Sequence, residues 1–301
     1  MSSRELPTFT GPNLTGEQQV SFLPDIERRD LRVARVSAVT PRYRRIVLTG
    51  DDLAAGFPFV RFACGDHVTV YFPAPGSDRV VAYRRTPDGG WEVDSTEGEP
   101  VRRDYTPRAW DPVARELTLD FVVHDHGVAG VWARDARPGD PVVVMGPRAN
   151  WLLPENYPRY LAVGDETALP SISRLVEEAP AGAHVTAVVE VADAGEEQPL
   201  RPGDGVGLEV LRVHRDTAPV AAGHSGALET ALRGVPLPDD TGELFVFAAG
   251  EAGAMRGVRR YLRGEVGLPR RQLSVDGYWK AGTADHDHHT GVDEEPDEHE
   301  G

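Results

Sequence analysis

The stretch RYLAVGDETALPSI, residues 159–172, decides the fold of the rear half of this 301-residue chain. Tyr160 to Val163 form an unbroken apolar run, the pattern of a strand buried on both faces. Gly164 ends the run. A helical pattern, ALPSISRLVEEA (168–179), follows at once, with Thr167 offered as its N-cap and Pro170 tolerated in the first turn. Strand, tight turn and helix make the opening unit of a parallel sheet, because a parallel neighbour is reached only by a crossover. The same grammar recurs downstream. HVTAVVEVA, LEVLRVH, ELFVFAAG and QLSVDGYW read as strands, and VAAGHSGALETALRG and EAGAMRGVRRYLRGEVG read as helices among them. The rear half is therefore predicted to be an α/β domain built on a parallel sheet.

Upstream the pattern differs. LRVARVSAVT, RRIVLTG, DHVTVYFP, GWEVDST, ELTLDFVVH and PVVVMGP are short, rich in Val, Thr and aromatics, and separated by Gly, Pro or Asp. Six such segments with a single helical stretch, HGVAGVWARDAR (126–137), predict a six-stranded antiparallel barrel or sandwich. Four segments follow: residues 1–28 as an arm, 29–153 as the barrel domain, 154–284 as the α/β domain, and 285–301 as a tail. That tail holds eight acids and no Lys or Arg, half of the net charge of −16, and its composition predicts disorder. Its histidines, His286, His288, His289 and His299, suit either weak metal binding or simple solvation.

Composition narrows the function. An acidic chain lacks the basic face that nucleic acid requires, and no apolar run approaches the roughly 20 residues that cross a bilayer. The N-terminus shows neither a basic start followed by an apolar run nor a small-residue cleavage site, so the expected location is the cytoplasm and the expected state a monomer. One cysteine, Cys64, builds neither a disulfide framework nor a cysteine metal site; packing is its expected role, and no protein metal site is expected.

Three local features carry chemistry. RRDYTPR (102–108) places Arg103 and Tyr105 on one face of a strand and Asp104 and Thr106 on the other, since Pro107 keeps Thr106 extended. A tyrosine beside an arginine suits a flat ring with an attached phosphate, and equally an edge strand with surface arginines. Gly164 and the helix after it suit a pyrophosphate cradle, although Asp165 and Glu166 bring negative charge there and no G-x-G-x-x-G is present. Gly250, Glu251 and Ala252 repeat that geometry, with Glu251 at the positive end of a helix; close ligand approach and tight helix packing both fit.

Taken together, RRDYTPR, the H-x-x-G segment beginning at His124, MGPR, VGDETALPSI, AAGEA and DGYWKAG resemble the siderophore-interacting protein family, flavin-dependent ferric-siderophore reductases of the ferredoxin-reductase superfamily, over residues 30–283. The resemblance implies that the barrel binds FAD and the α/β domain binds NADPH or NADH. It implies roles for Arg103 on the flavin phosphate, Tyr105 stacked on the isoalloxazine and Thr106 hydrogen-bonded near N5, these last two as the catalytic pair. A second flavin segment runs through His124, Gly127, Ala129, Gly130, Val131 and Trp132. Here the family commonly reads G-P-A-S-R-W, so a serine and an arginine are replaced by Gly130 and Val131, leaving backbone N–H groups at 129–131 for the pyrophosphate. The resemblance places Asp165, Glu166, Thr167, Gly250, Glu251 and Ala252 at the nicotinamide site. Tyr278, Trp279 and Lys280 match an aromatic segment at the ring face, where a buried terminal strand is the other reading.

Glu190, ending the second parallel strand, favours the free ribose of NADH, whereas the family leans toward NADPH. The implied substrate is a ferric siderophore, drawn to a basic group of Arg42, Arg44, Arg45, Arg84 and Arg85 if those residues are more than a solvated face. The altered flavin segment leaves two alternatives: a non-catalytic flavin or ferric-chelate binder, or a flavoenzyme of the same scaffold acting on an organic metabolite.

Overall fold

The computed structural model describes residues 11–283 except 75, 97, 125 and 126, so the tail lies outside the described residues. Two compact units emerge, one of residues 20–152 and one of residues 12–19 with 153–283.

In the first unit, β2 (Arg28–Thr40), β3 (Tyr43–Thr49), β4 (Val68–Phe72), β7 (Val101–Tyr105), β8 (Pro107–Asp111), β9 (Glu116–Val122) and β10 (Pro141–Met145) form one antiparallel sheet in the order β7-β4-β10-β2-β3-β9-β8. The two edge strands, β7 and β8, are consecutive in the chain and joined through Thr106 alone. A single-residue link brings opposite edges of a sheet together only if the sheet curls round on itself. Alternate side chains fill its interior: Leu31 and Val33, Ile46 and Leu48, Val68, Val70 and Phe72, Leu117, Leu119 and Phe121, Val142 and Val144.

The class is an antiparallel barrel, the one of the pattern's two readings that the family resemblance implies, but with seven strands where the sequence suggested six. GWEVDST supplies β6 (Trp91–Val93), which pairs with β5 (Tyr83–Arg85) in a separate hairpin. RRDYTPRAWD supplies two barrel strands in its place. Pro107, with no N–H to donate, opens an edge strand, where that loss costs least. The helix of this half, α1, runs Val128–Asp135.

The described residues just before the barrel are tied down. Asn13 is buried, donates to the Glu17 carbonyl and accepts from Thr15, and the β1 (Gln19–Phe22) strand pairs with β11 (Ala149–Leu152). Short strands of this kind carry too few residues to show a period.

The second unit holds a parallel sheet in the order β14-β13-β12-β15-β16, from β12 (Arg159–Gly164), β13 (His184–Val191), β14 (Gly207–His214), β15 (Leu244–Glu251) and β16 (Leu273–Trp279). The central strands β12 and β15 are buried almost throughout, which explains their unbroken apolar runs. Helices α2 (Leu169–Glu178), α3 (Ala227–Arg233) and α4 (Ala252–Arg260) flank the sheet, and α4 widens into a π-helical turn at Tyr261–Glu265. Strand order reverses at β12, so the crevice at its carboxyl end is where such sheets take ligands.

Candidate functional site

On β7 the alternation runs as expected through Tyr105: Val101, Arg103 and Tyr105 are half-buried while Arg102 and Asp104 are exposed. On the exposed face Arg102 hydrogen-bonds Tyr71, and Asp104 accepts from the Thr69 hydroxyl at 2.6 Å. Arg103 donates to the Arg102 carbonyl at 2.5 Å. Thr106 departs from the expectation. The chain leaves β7 after Tyr105 and restarts at Pro107, so Thr106 does not share a strand face with Asp104 and is instead buried at the barrel seam.

Tyr105 has the company of a core residue on one side. Its ring centroid lies 4.2 Å from that of Phe121 and 6.2 Å from that of Phe72. Burial pushes its phenol well above the ordinary tyrosine range, with Arg103 pulling the other way. Trp132 of α1 completes the cluster, 5.0 Å from Phe72 and 5.6 Å from Phe121. Its ring is therefore part of the barrel interior. Phe72 and Phe121, which sequence reasoning did not single out, are the floor on which Tyr105 rests; their signal was the period-2 pattern of β4 and β9.

α1 opens at Gly127, with φ of 83° and no side-chain cap. The N–H of Val131 donates back to the Gly127 carbonyl, so it is spent inside the helix. The N–H groups without an intrahelical acceptor are therefore those of residues 128–130, one position earlier than the expected 129–131, because the first intrahelical bond closes on the cap residue. Gly130 lies against His124: a Cβ there would come within 2.9 Å of the imidazole and of the His124 carbonyl. The serine of the family pattern has no room at this position. An uncapped helix start beside a strand carrying Arg103 and Tyr105 fits a flavin with its pyrophosphate.

The expected basic group is not one cluster. Arg44 and Arg45 lie on β3 and Arg84 and Arg85 on the β5–β6 hairpin. Arg45 is bound to the buried Asp120 through two bonds of 2.7 Å, Arg84 to Glu92, and Arg85 to Asp25 and over the Trp91 ring at 4.2 Å. Arg44 donates to the Thr40, Pro41 and Tyr43 carbonyls.

In the second unit the carboxylate that seemed to oppose a phosphate is already committed. Asp165 is buried and accepts four hydrogen bonds: from the Thr167 N–H at 2.9 Å and its hydroxyl at 2.5 Å, from the Glu251 N–H at 2.8 Å, and from the Trp279 indole at 2.8 Å. It thus ties the ends of β12, β15 and β16 together. Burial, with Glu166 adding repulsion, raises its carboxyl above the usual range, while the donors work against that rise.

Gly250 makes the tie possible. Its φ is 152°, and a Cβ would meet the Asp165 carboxylate at 2.7 Å. A register shift between Gly250 and Glu251 then sets Trp279 opposite Glu251 and in reach of Asp165. Thr167 is not the N-cap of α2: Asp165 captures its hydroxyl, and Ala168 takes the position with no side-chain bond. α2 consequently begins with uncapped N–H groups. α4 does not, for Glu251 caps it by accepting from Ala254 at 2.9 Å, and Ala252 is buried behind it. Tyr278 meets Ser171 at 3.1 Å, while Trp279 and Lys280 are exposed.

The comparisons agree with this fold. Residues 32–151 match the model of the siderophore-interacting FAD-binding domain and residues 157–282 that of the siderophore-interacting protein. A curated NADPH-dependent ferric-chelate reductase of Escherichia coli K12 is 33% identical over 85% of this chain and 94% of its own. The chain belongs to the siderophore-interacting protein family. The ferric vibriobactin reductase ViuB of Vibrio cholerae is 31% identical over 88% of this chain and 95% of its own. A siderophore utilization protein from T. fusca, whose crystal structure is known, superposes with a TM-score of 0.78 at 40% identity, covering 91% of this chain and all of that one. Membership in the siderophore-interacting protein family accounts for the pairing of an antiparallel barrel with a parallel sheet. Among the described residues no helix is long and apolar enough to cross a membrane.

Proposed function

We propose that this chain is an FAD-containing oxidoreductase that draws electrons from NADPH and delivers them to Fe(III) held in a siderophore, releasing Fe(II). The observation that carries it is the shared face of Arg103 and Tyr105 on an edge strand of a barrel that matches the family's FAD-binding domain. Residues 29–153 are the FAD-binding domain and residues 154–284 the NAD(P)H-binding domain. The chemistry that bound FAD supplies is the conversion of a two-electron donor into single-electron deliveries to iron.

The protein's own residues position and neutralise. Arg103 and the N–H groups of residues 128–130 would meet the pyrophosphate; Tyr105, backed by Phe121, would present a rigid flat face to the flavin ring. Thr106, buried at the seam, would offer its hydroxyl to the flavin edge. Gly250, Ala252 and the uncapped start of α2 accept the nicotinamide dinucleotide, with Asp165 and Glu251 holding that edge in shape. Tyr278, Trp279 and Lys280, at the end of the second unit's last strand, would complete the nicotinamide side, Lys280 adding positive charge. No acid–base pair is required. Fe(II) is a poorer partner than Fe(III) for hard oxygen donors, so reduction frees the metal. The monomeric state and a cytoplasmic location belong to the same proposal.

Visible absorption tests it. Purified protein is expected to be yellow, to bleach when NADPH is added without oxygen, and to regain its colour when ferric siderophore is supplied with a ferrous trap. Colourless protein that takes up no FAD rejects the reading. Flavin that stays oxidised marks a binder instead, and reduced flavin with no ferrous product marks an enzyme of organic metabolites.

A further inference from the structure

Three charged side chains meet at the carboxyl edge of the parallel sheet. Glu166 follows β12, Glu190 is the penultimate residue of β13, and Arg215 is the first residue after β14. The Arg215 Nε donates to Glu190 at 2.6 Å; its Nη1 donates to Glu166 at 3.1 Å, and its Nη2 closes a second bond to the same carboxylate. Both carboxylates are mostly covered, at 19% and 13% side-chain exposure, while the guanidinium is 42% exposed. Burial acts to lower the Arg215 pKa, and the two carboxylates outweigh it and hold the group charged. The neighbouring basic side chains on β14, Arg212 and His214, are both held by Glu197 at 2.8 Å.

The end of the second strand of such a sheet is where the adenosine ribose is recognised: a carboxylate takes the 2′-hydroxyl of NADH, or an arginine takes the 2′-phosphate of NADPH. Here both groups are present, and the carboxylates outnumber the arginine. Three of the five guanidinium donors are engaged and the trio carries a net charge of −1. A 2′-phosphate arriving there would have to displace a carboxylate from Arg215 or lie against it. Two ribose hydroxyls meet no such cost, since they donate to Glu190 and accept from the remaining guanidinium donors.

We infer that the Glu166–Arg215–Glu190 trio cancels the preference for a 2′-phosphate, so that NADH is a donor at least equal to NADPH. The inference rests on the second unit being the nicotinamide-binding one. Arg215 is a specificity-determining residue through the two carboxylates that bind it, not as a bare phosphate receptor.

Calorimetric titration of the FAD-loaded full chain with ADP-ribose and with 2′-phospho-ADP-ribose, at one ionic strength, tests it without turnover. The wild type is expected to bind ADP-ribose at least as tightly as the phosphorylated compound. The double variant Glu166→Gln with Glu190→Gln turns the trio from −1 to +1 and is expected to shift the ratio toward the phosphate by about tenfold or more. In Arg215→Ala the ratio should move the opposite way. A general loosening of the fold moves both affinities together and leaves the ratio unchanged. A wild-type preference for the phosphorylated compound, or a ratio that the double variant leaves where it was, overturns the inference and leaves the nicotinamide reading standing. Binding of neither compound overturns both.

Discussion

The ribbon at 102–108 and the carboxyl edge of the parallel sheet teach opposite lessons about charge. In the ribbon, cationic and aromatic side chains share a face, and Tyr105 keeps one side of its ring against Phe121. At the sheet edge the charges that looked functional are internally spent: Asp165 on four donors, Glu251 on the first turn of α4, and Glu166 and Glu190 on Arg215. A carboxylate saturated by N–H and O–H donors presents little repulsion to an approaching phosphate. What a charge does at a site depends on its partners before it depends on its sign.

The sharpest way to break that contrast is Asp165→Ala. If the carboxylate is a structural tie, its loss strands the Trp279 indole and the Glu251 N–H, and chemical denaturation should show the second unit destabilised by about 3–5 kcal/mol. A loss below about 1 kcal/mol would mean that Asp165 is free for a ligand after all. Next in size is Tyr105→Ala, expected to weaken FAD retention by about 1–3 kcal/mol in a fluorescence titration, with Tyr105→Phe close to wild type because the ring, not the hydroxyl, carries the contact. Equal retention by all three proteins would reduce the ribbon to an edge strand with surface arginines.

Gly130→Ala probes the start of α1. The added methyl meets His124, so a cost of about 1–2 kcal/mol in thermal denaturation is expected, with weaker FAD retention in the same variant. A variant as stable as wild type would show that His124 moves aside freely. The smallest effect concerns the β5–β6 hairpin. Burial pushes the Asp94 carboxyl up, but Arg28 and the Ala82 N–H more than offset it, leaving the group below its ordinary value. A depressed carboxyl contributes stability above its unfolded pKa of roughly 4, and that contribution fades as pH falls through the folded value. A change of under about 1 kcal/mol is expected, read as a Tm difference between wild type and Asp94→Asn that is present at neutral pH and closes as the pH is lowered through the folded value.

Much of the fold was legible because burial leaves periodic traces. The unbroken apolar runs of β12 and β15 and the alternation of β2, β4 and β9 each report how many faces a strand buries. β1, β5, β8 and β11 were missed, being three to five residues long and so too short to show a period. Of the candidate site, Arg103 and Tyr105 could be placed from local spacing. Thr106 could not, because one residue joining two opposite sheet edges is a property of closure rather than of the strand. Arg215 was overlooked although a signal existed: each of three successive strands ends on or beside a charged residue, and only the sum of the three decides what the edge prefers.

By itself the sequence determined the two architectures, the chemical character of the ribbon and the departure at Gly130 and Val131, since these depend on local period, residue type and spacing. Tertiary structure alone decided which charges remain available. Hydrogen-bond partners of Asp165 come from residues up to 114 positions away, and the carboxylates on Arg215 from 25 and 49 positions away. Electrostatic free energy depends on distance through space, so pairings of that range leave no periodic mark in the chain.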